Sequence, residues 1–342
     1  MTTHSVLAER LAAQGLAGPP EAGPVGVAER LLAVQGQDPR GARLAIRART
    51  EGATAADVDR ALDERSLLIA WLNRGTLHLV RSEDYPWLHA LTTPPLLTSA
   101  RRRLAQEGVS PDAAERGVAT IERALGDEGP LDRIQLRERL RAAGVPTEGQ
   151  ALIHLFFLAS LKGAVVRGPM AGKQHAYVRV EDWLGPAKPV DRDVALAELA
   201  RRYLVGHAPA DDRDLAKWAG LPLRDSRAGL AAIASELVER DDGLVHLATH
   251  PPVAEIPAPR LLGAFDPVLL GWTSREAILG AHTHIVTRNG MFHPFAMVDG
   301  RAAATWKLNR GKVTIEPLGR VTKKAMASLE ADAAGVERFM AS

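Results

Sequence analysis

Hydrophobic periodicity along the first sixty residues predicts a series of short helices. A loop rich in glycine and proline over residues 15–26 precedes apolar positions at helical spacing, Val27, Leu31 and Val34. Thr54-Ala-Ala-Asp57 has the spacing of a capping box and predicts the start of another helix. The amino-terminal region is therefore expected to be helical.

The pattern then changes to that of a β-hairpin. Residues 66–72 and 76–80 are apolar enough for two strands, and Asn73-Arg-Gly75 between them is a turn signal. Helices followed by a hairpin are typical of a winged helix.

The same order of helices and hairpin is predicted twice more. Further helices are expected over residues 131–143, 148–161, 193–205, 212–219 and 224–240. Further wing strands are expected over residues 165–167, 175–180 and 243–247, with residues 168–173 forming the second wing's loop. The three copies share this order but not their sequence.

After a proline-rich linker at 250–259, short strands predict a β-barrel closed by a last helix at 323–340. The strands are expected over residues 281–287, 292–298, 301–308 and 312–317, separated by turns such as Asn309-Arg-Gly311. The predicted fold class is thus α+β, with three tandem winged-helix motifs followed by a C-terminal β-barrel. The expected domains are residues 1–95, 96–188, 189–250 and 251–342.

Composition narrows the class of protein. The 342 residues are 46% hydrophobic with a formal net charge of +2, and 35 of the 43 cationic residues are arginine. Arginine suits bidentate phosphate recognition, although a GC-rich coding sequence would also enrich it. No cysteine is present, which excludes disulfides and thiolate chemistry. The sequence has no run of apolar residues long enough for a membrane span and no signal-peptide pattern, so we expect a soluble cytoplasmic protein.

The segment Gln35-Gly36-Gln37 is the first candidate for chemistry. On a continuous helix, residues two apart point about 200° away from each other, so the two glutamines could not serve one site. Gly36, with Asp38 and Pro39 behind it, favours a break that would turn both side chains to one side. Either the glutamines satisfy the backbone of a frayed helix end, or they form a site.

Four stretches together resemble a known family. They are "LLAVQGQDPRGARLAIRAR", "SLLIAWLNRGTLHLV" with "SEDYPWL", "LLGAFDPVLLGWTSR" and "GMFHPFAMVDGRAAATWKL". They resemble the winged-helix DNA glycosylases of the HTH_42 superfamily, which excise bulky alkylpurines and unhook interstrand crosslinks. The resemblance implies the predicted fold, and it implies that Gln35 and Gln37 are the catalytic Gln-x-Gln motif. The middle residue is usually apolar in that family and is Gly36 here.

The resemblance and the residue types imply hydrolysis of a cationic lesion. A carboxamide cannot ionise, but it can orient a water and stabilise a sugar cation, which suffices when the base is an N7- or N3-alkylated purine. A lyase needs an amine, and no lysine precedes Lys162, which leaves Lys307 and Lys312 in the predicted barrel. Asp38 is either a base or a helix stop. No cofactor or metal is expected.

DNA contacts are predicted from position and charge. The expected contacts are Arg40, Arg43, Arg47, Arg49, Arg74, Thr76, His78, His282, His284, Arg288 and Asn289. We interpret His282-Thr-His284 as a DNA contact because no third metal ligand is suggested. In the following turn, Met291 or Phe292 could wedge into the minor groove, or Phe292 could lie in the core.

Asp266 and Arg275 either pair to hold the last winged helix to the barrel or face the site. The preferred function is a monomeric, monofunctional DNA glycosylase for cationic N7/N3-alkylated purines in double-stranded DNA, serving repair or self-resistance to an alkylating natural product. The alternative is a non-enzymatic winged-helix transcription regulator. A metal-dependent nuclease lacks the clustered carboxylates that it would need.

Overall fold

A computed structural model describes residues 3–172, 174–249 and 256–341. These form two compact units, one made of residues up to Val58 together with residues from Leu196 onward, and one made of Asp59–Ala195. Lys173 of the predicted second-wing loop and residues 250–255 of the predicted linker lie outside the described residues. Within the described part of the chain, no helix is both long and apolar enough to cross a membrane.

Most of the predicted helices and strands are present, and the helices over residues 85–128 were not predicted. The helices are α1 Thr3–Ala13, α2 Gly23–Leu31, α3 Pro39–Arg47, α4 Ala55–Asp63, α5 Tyr85–Thr92, α6 Leu97–Gln106, α7 Pro111–Glu128, α8 Arg133–Ala142, α9 Ala151–Leu161, α10 Val180–Leu184, α11 Arg192–His207, α12 Asp212–Ala219, α13 Leu223–Ala232, α14 Glu276–Leu279 and α15 Lys323–Ala341. The strands are β1 Val34–Gln35, β2 Leu67–Trp71, β3 Leu77–Arg81, β4 Val165–Ala171, β5 Gln174–Arg179, β6 Leu237–Glu239, β7 Val245–Leu247, β8 Arg260–Leu262, β9 Phe295–Val298, β10 Arg301–Asn309 and β11 Lys312–Pro317.

The first two predicted hairpins are confirmed and join in one sheet of the second unit. Strands β2 and β3 are antiparallel, as are β4 and β5, and Ile69 pairs with Arg167 so that the strand order is β3-β2-β4-β5. All five residues of β2 are buried, as expected for a strand whose two faces are both covered. The sequence predicted the hairpins but not their association.

The third hairpin corrects the expected helix at 224–240. Helix α13 ends at Ala232, and the chain then forms a single 3₁₀ turn and strand β6, which pairs with β7 through Leu237 opposite Leu247. Pairing with the next strand along the chain therefore overrides the helical periodicity of this stretch.

The predicted C-terminal barrel is wrong, because β11-β10-β9-β8 form an open antiparallel sheet. The sheet has one buried face, on which Ala304 and Trp306 of β10 pack with Leu329 and Val336 of α15. The indole Nε1 of Trp306 donates to the carbonyl oxygens of Leu262 at 2.9 Å and Phe295 at 3.2 Å. Because α15 covers the apolar face, the sheet can bury it without closing on itself.

Two of the strands expected in this region are also corrected. Residues 281–287 form a 3₁₀ turn at Thr283–Ile285 instead of a strand, and the strand expected from Phe292 begins at Phe295. The short runs of alternating apolar and polar residues in this region form turns and isolated β-bridges, such as the one between Val286 and Phe292, instead of strands.

Helix α3 crosses the segment that follows β8 at very close range. A Cβ added at Gly41 would overlap the carbonyl oxygen of Ala264, and one added at Gly263 would lie 2.9 Å from the Cβ of Leu44. Glycine is therefore required at both positions, since any side chain would push the helix away. This crossing fixes α3, and the glutamine segment before it, against the C-terminal sheet.

We expect Gly41→Ala to destabilise the protein by about 1–3 kcal/mol or more, because the new methyl group has no space. At an open helical position the same change would stabilise by up to about 1 kcal/mol. Urea unfolding monitored by tryptophan fluorescence measures the difference. Gly319→Ala is the matched control, since nothing lies near its Cβ; equal stability of the two variants would contradict the close crossing.

Candidate active site

The chain leaves helix α2 through a tight bend immediately before the glutamines. Helix α2 ends at Leu31, and Leu32 has φ 62° and ψ −44° while the N–H of Ala33 donates to the carbonyl of Leu31 at 2.7 Å. This is a γ-turn with a positive φ, a strained conformation for a residue with a side chain. The helix predicted to continue to Val34 therefore stops three residues earlier.

The two glutamines consequently lie outside any helix. Gln35 belongs to the extended segment β1 and is 5% exposed, whereas Gln37 lies in a bend and is exposed. Side chains two residues apart lie on one side only within extended backbone, and the extended segment ends at Gln35, so a shared site requires the bend at Gln37 to turn its side chain towards that of Gln35. One carboxamide is shielded from solvent and the other is at the surface.

Asp38 begins the next helix. Its Oδ1 accepts a hydrogen bond from the backbone N–H of Arg40 at 3.0 Å, which caps the N-terminus of α3. The expectation that Asp38 stops the preceding helix is wrong, because α2 already ends at Leu31 and Asp38 instead starts α3. Arg40 is exposed, and Arg43 is half-buried with its Nη1 donating to the carbonyl of Pro39 at 3.1 Å.

Arg49 does not face solvent, which corrects its predicted contact with DNA. Its side chain and that of Asp266 are both 0% exposed and form a bidentate pair, Nη2–Oδ1 2.9 Å and Nη1–Oδ2 3.1 Å. The three remaining N–H groups donate to the carbonyl and side-chain oxygens of Gln14 and to the carbonyl of Ala45. All five donors are used, so none is left for a phosphate.

Arg47 is also held within the protein. Its guanidinium forms a bidentate pair with Asp332 of α15, Nη2–Oδ1 2.7 Å and Nη1–Oδ2 2.8 Å. The side chain is 15% exposed. Arg47 therefore joins α3 to the terminal helix, and a DNA contact by it would require this pair to open.

The turn after the two histidines presents polar groups to solvent. The N–H of Thr287 donates to the carbonyl of Met291 at 2.8 Å, and Gly290 closes the turn by donating to Thr287 at 3.0 Å. Arg288 and Asn289 are exposed at its tip, and Met291 is 54% exposed. Exposed methionine beside a cation and an amide suits contact with a DNA groove.

The base of that turn is anchored near the start of α3. Phe292 is 8% exposed and stacks on Phe265 with ring centroids 5.2 Å apart, while the guanidinium of Arg275 lies 5.1 Å from the Phe292 ring. Phe265 has φ 57° and follows Ala264, which contacts Gly41 of α3. Phe292 thus belongs to the core, and an Asp266–Arg275 pair is not formed, because Arg49 takes Asp266 and Arg275 donates to Leu269.

His282 precedes the 3₁₀ turn Thr283–Ile285 and His284 lies within it, so the two do not share one side of a strand as predicted. Their ring centroids are 6.1 Å apart with nearly perpendicular planes. His284 is exposed and His282 is half-buried. Over residues 3–172, 174–249 and 256–341, no group of three or more potential ligands is placed to hold a metal ion.

The first wing, in the second unit, contains the other predicted contacts. Arg74 has φ 57° at the tip of the hairpin, and both Arg74 and Thr76 are half-buried. His78 is only 2% exposed, which corrects its predicted orientation towards DNA. Burial and the nearby Arg74 lower the pKa of His78 to about 3, so its imidazole is neutral and adds no charge to a phosphate contact.

The sequence missed the residues that position the site. The bend at Leu32, the crossing at Gly41 and Gly263, and the partner Asp332 all depend on the tertiary structure. A partial signal existed for Gly263 and Asp266, because both lie in a stretch that resembles the glycosylase family.

A glutamine segment between two helices and an exposed turn with a cation and an amide suit an enzyme that acts on DNA, and the family comparison defines the class. The chain belongs to the AlkZ-like DNA glycosylases, whose family model matches residues 28–339. This excludes the non-enzymatic regulator.

Comparisons with one known protein and with one solved structure agree with this family. The chain is similar to the interstrand DNA cross-link repair glycosylase of Streptomyces sahachiroi, at 26% identity over 344 residues, 91% of this chain and 89% of the relative. It is also similar to the solved structure of Streptomyces sahachiroi DNA glycosylase AlkZ, with a TM-score of 0.79, 25% identity and coverage of 99% of this chain and 96% of that one.

We expect Asp266→Asn to lower the free energy of unfolding by about 3–5 kcal/mol, since it leaves the buried charge of Arg49 without its partner. Thermal unfolding measures the loss. Glu316→Gln, in an exposed pair with Lys307, is the control and should cost about 1 kcal/mol or less. A small effect at Asp266 would contradict the role of the buried pair.

His78 predicts a pH dependence of stability. Its pKa is about 3 in the folded protein and about 6.5 when unfolded, so the unfolded chain binds the extra proton between these values. The free energy of unfolding should therefore fall as the pH decreases from about 6.5 towards 3. His78→Gln should make that fall shallower than in wild type, measured by urea unfolding at each pH; parallel curves would contradict the assignment.

Proposed function

We propose that this enzyme hydrolyses the N-glycosidic bond of cationic N7- or N3-alkylated purines in double-stranded DNA, including bulky adducts and interstrand crosslinks. The observation that carries the proposal is the position of Gln35-Gly36-Gln37. The motif is presented outside any helix, between the γ-turn at Leu32 and the N-cap at Asp38. The similarity to the interstrand DNA cross-link repair glycosylase of Streptomyces sahachiroi supports the inclusion of crosslinks.

The two carboxamides act by orientation. The side-chain oxygen of a glutamine accepts a hydrogen bond from a water molecule, and its NH₂ group donates one. We assign to Gln35 and Gln37 together the positioning of the attacking water and the stabilisation of the sugar cation. A fixed position is essential for such a role, and the buried supports around the motif provide it.

The reaction does not need an acid from the protein. The C1′–N9 bond breaks with its electron pair going to the purine, which thereby loses its positive charge and needs no protonation. The resulting oxocarbenium-like sugar is attacked at C1′ by the water oxygen, and the water's proton passes to solvent. This chemistry favours cationic adducts over neutral lesions.

Hydrolysis is favoured over lyase chemistry. Lys307 and Lys312, which the sequence left as possible amines, occupy exposed positions of β10 and β11 and pair with Glu316 and Glu337 at 3.0 and 2.9 Å. A Schiff base requires an unprotonated, unpaired amine at the sugar.

We propose that the duplex is held by three winged helices and by the turn at residues 287–291, with the protein acting as a monomer. The three hairpins, each preceded by helices along the chain, support this division. The exposed or half-buried candidates for contact are Arg40, Arg43, Arg74, Thr76, His282, His284, Arg288, Asn289 and Met291. The biological role is either general repair or self-resistance to an alkylating natural product.

We expect Gln35→Ala and Gln37→Ala each to slow single-turnover release of N7-methylguanine, or of a bulky N7 adduct, by about 10²–10³-fold, the effect of losing one oriented hydrogen-bonding group. Release is measured from a labelled duplex without added metal. Binding to the same duplex should persist, because the substitutions remove no charge.

Asp38→Asn is the discriminating control. Asparagine caps a helix about as well as aspartate, so this variant should retain full activity if the carboxylate is only structural. Loss of release in Asp38→Asn with normal stability would identify Asp38 as the base and overturn the role given to the glutamines. Absence of release from both adducts by the wild type would overturn the substrate assignment.

A further inference from the structure

A cleft of about 480 Å³ lies in the first unit at the opposite end of α3 from the glutamines. Its walls are the carboxyl end of α3, the loop that follows it, the start of β8 and one face of α15. The lining residues include Arg47, Glu51, Arg260, Asp332 and Arg338. Of these five residues, the sequence had indicated a functional role only for Arg47.

The carboxylates that line the cleft do not neutralise the charge of its arginines. The carboxylate of Asp332 is committed to its bidentate pair with Arg47, and its Oδ2 also accepts from the N–H of Leu261 at 2.7 Å. With Glu51, the cleft has three guanidinium groups against two carboxylates, a net charge of +1.

Arg260 is a half-buried cation without a carboxylate partner. Its Nη1 donates to the carbonyl of Ala48, and no ion pair joins it to any acidic side chain within the described ranges. Burial and the neighbouring Arg47 and Arg49 lower its pKa, opposed by Asp332. A buried cation is usually paired, since leaving it unpaired is costly, so an anion in the cleft would complete the site.

Arg338 supplies the second open cation. It is exposed on the last turns of α15 and lines the same cleft. Gly335, one turn before it, leaves room for the guanidinium of Arg47 to lie against the helix. Arg260 and Arg338 therefore present guanidinium groups from two elements to one space.

We propose that this cleft binds a backbone phosphate of the DNA duplex, through Arg260 and Arg338. Planar guanidinium groups match the oxygens of a phosphate, and the volume of the cleft admits a phosphodiester with its flanking sugars. The nine residues of α3 span about 13 Å, which equals the rise of about four base pairs. The contacted phosphate thus lies within about four base pairs of the lesion. This inference rests on the proposed function of the glutamine site.

The test compares Arg338→Gln with wild type in binding to a duplex at several salt concentrations. Loss of one phosphate contact should flatten the plot of log affinity against log salt by about 0.9. Arg320→Gln is the matched control: it removes the same charge beyond the amino end of α15, and Lys323 lies about 22 Å along the helix axis from Arg338. Arg260→Gln is the second variant, and its unfolding curve checks that the fold persists.

A methylphosphonate scan of the duplex locates the contact. Replacing one phosphate within about four base pairs of the lesion should weaken binding by wild type more than binding by Arg338→Gln, which retains only the contact from Arg260. An unchanged salt slope in both cleft variants, or a scan in which the two proteins lose affinity alike at every position, would overturn the proposal. The cleft would instead be a site for a free anion if inorganic phosphate weakened DNA binding at constant ionic strength and no methylphosphonate substitution changed the affinity. That result would also overturn the proposal.

These outcomes are independent of the glycosylase chemistry. If base release proceeds while the cleft variants bind like wild type, only the cleft proposal fails. If release is absent while the scan shows the contact, only the proposed reaction fails.

Discussion

The buried pair between Arg49 and Asp266 is the constraint on which the site depends. Two charges with no solvent exposure are tolerated only when every donor and acceptor is satisfied, and Arg49 uses all five of its N–H groups. Its partners come from the end of α1, from α3 and from the turn after β8. These three segments therefore cannot shift independently, and they determine where the glutamine segment and the turn at 287–291 are placed.

The proposed catalytic pair, Gln35 and Gln37, cannot ionise and therefore needs this rigidity. A carboxylate can act over a range of geometries through its charge, whereas a carboxamide contributes only where its dipole points correctly. The strained γ-turn at Leu32, the cap at Asp38 and the glycine crossing at Gly41 all restrict the backbone around the glutamines. Strain of this kind persists only where surrounding structure imposes it.

The abundance of arginine has more than one explanation in the molecule. Arg49 and Arg47 hold elements together through Asp266 and Asp332, Arg275 lies over an aromatic ring, and Arg40 and Arg288 are exposed. A cluster of arginines close in sequence, such as residues 40–49, therefore divides between structural pairs and candidate contacts with DNA. Composition alone could not make that division, because the acidic partners are more than 200 residues away.

Local sequence determined most of the secondary structure and the first two hairpins and singled out the glutamine motif, because periodicity, turn residues and the chemistry of a carboxamide are all encoded within a few positions. The tertiary structure decided the rest. It joined two hairpins in one sheet, left the C-terminal sheet open under α15, buried His78, and paired Asp266 with Arg49, whereas the sequence had left open whether Asp266 pairs with Arg275 or faces the site. Each of these outcomes depends on which distant residues meet, and no local pattern specifies that.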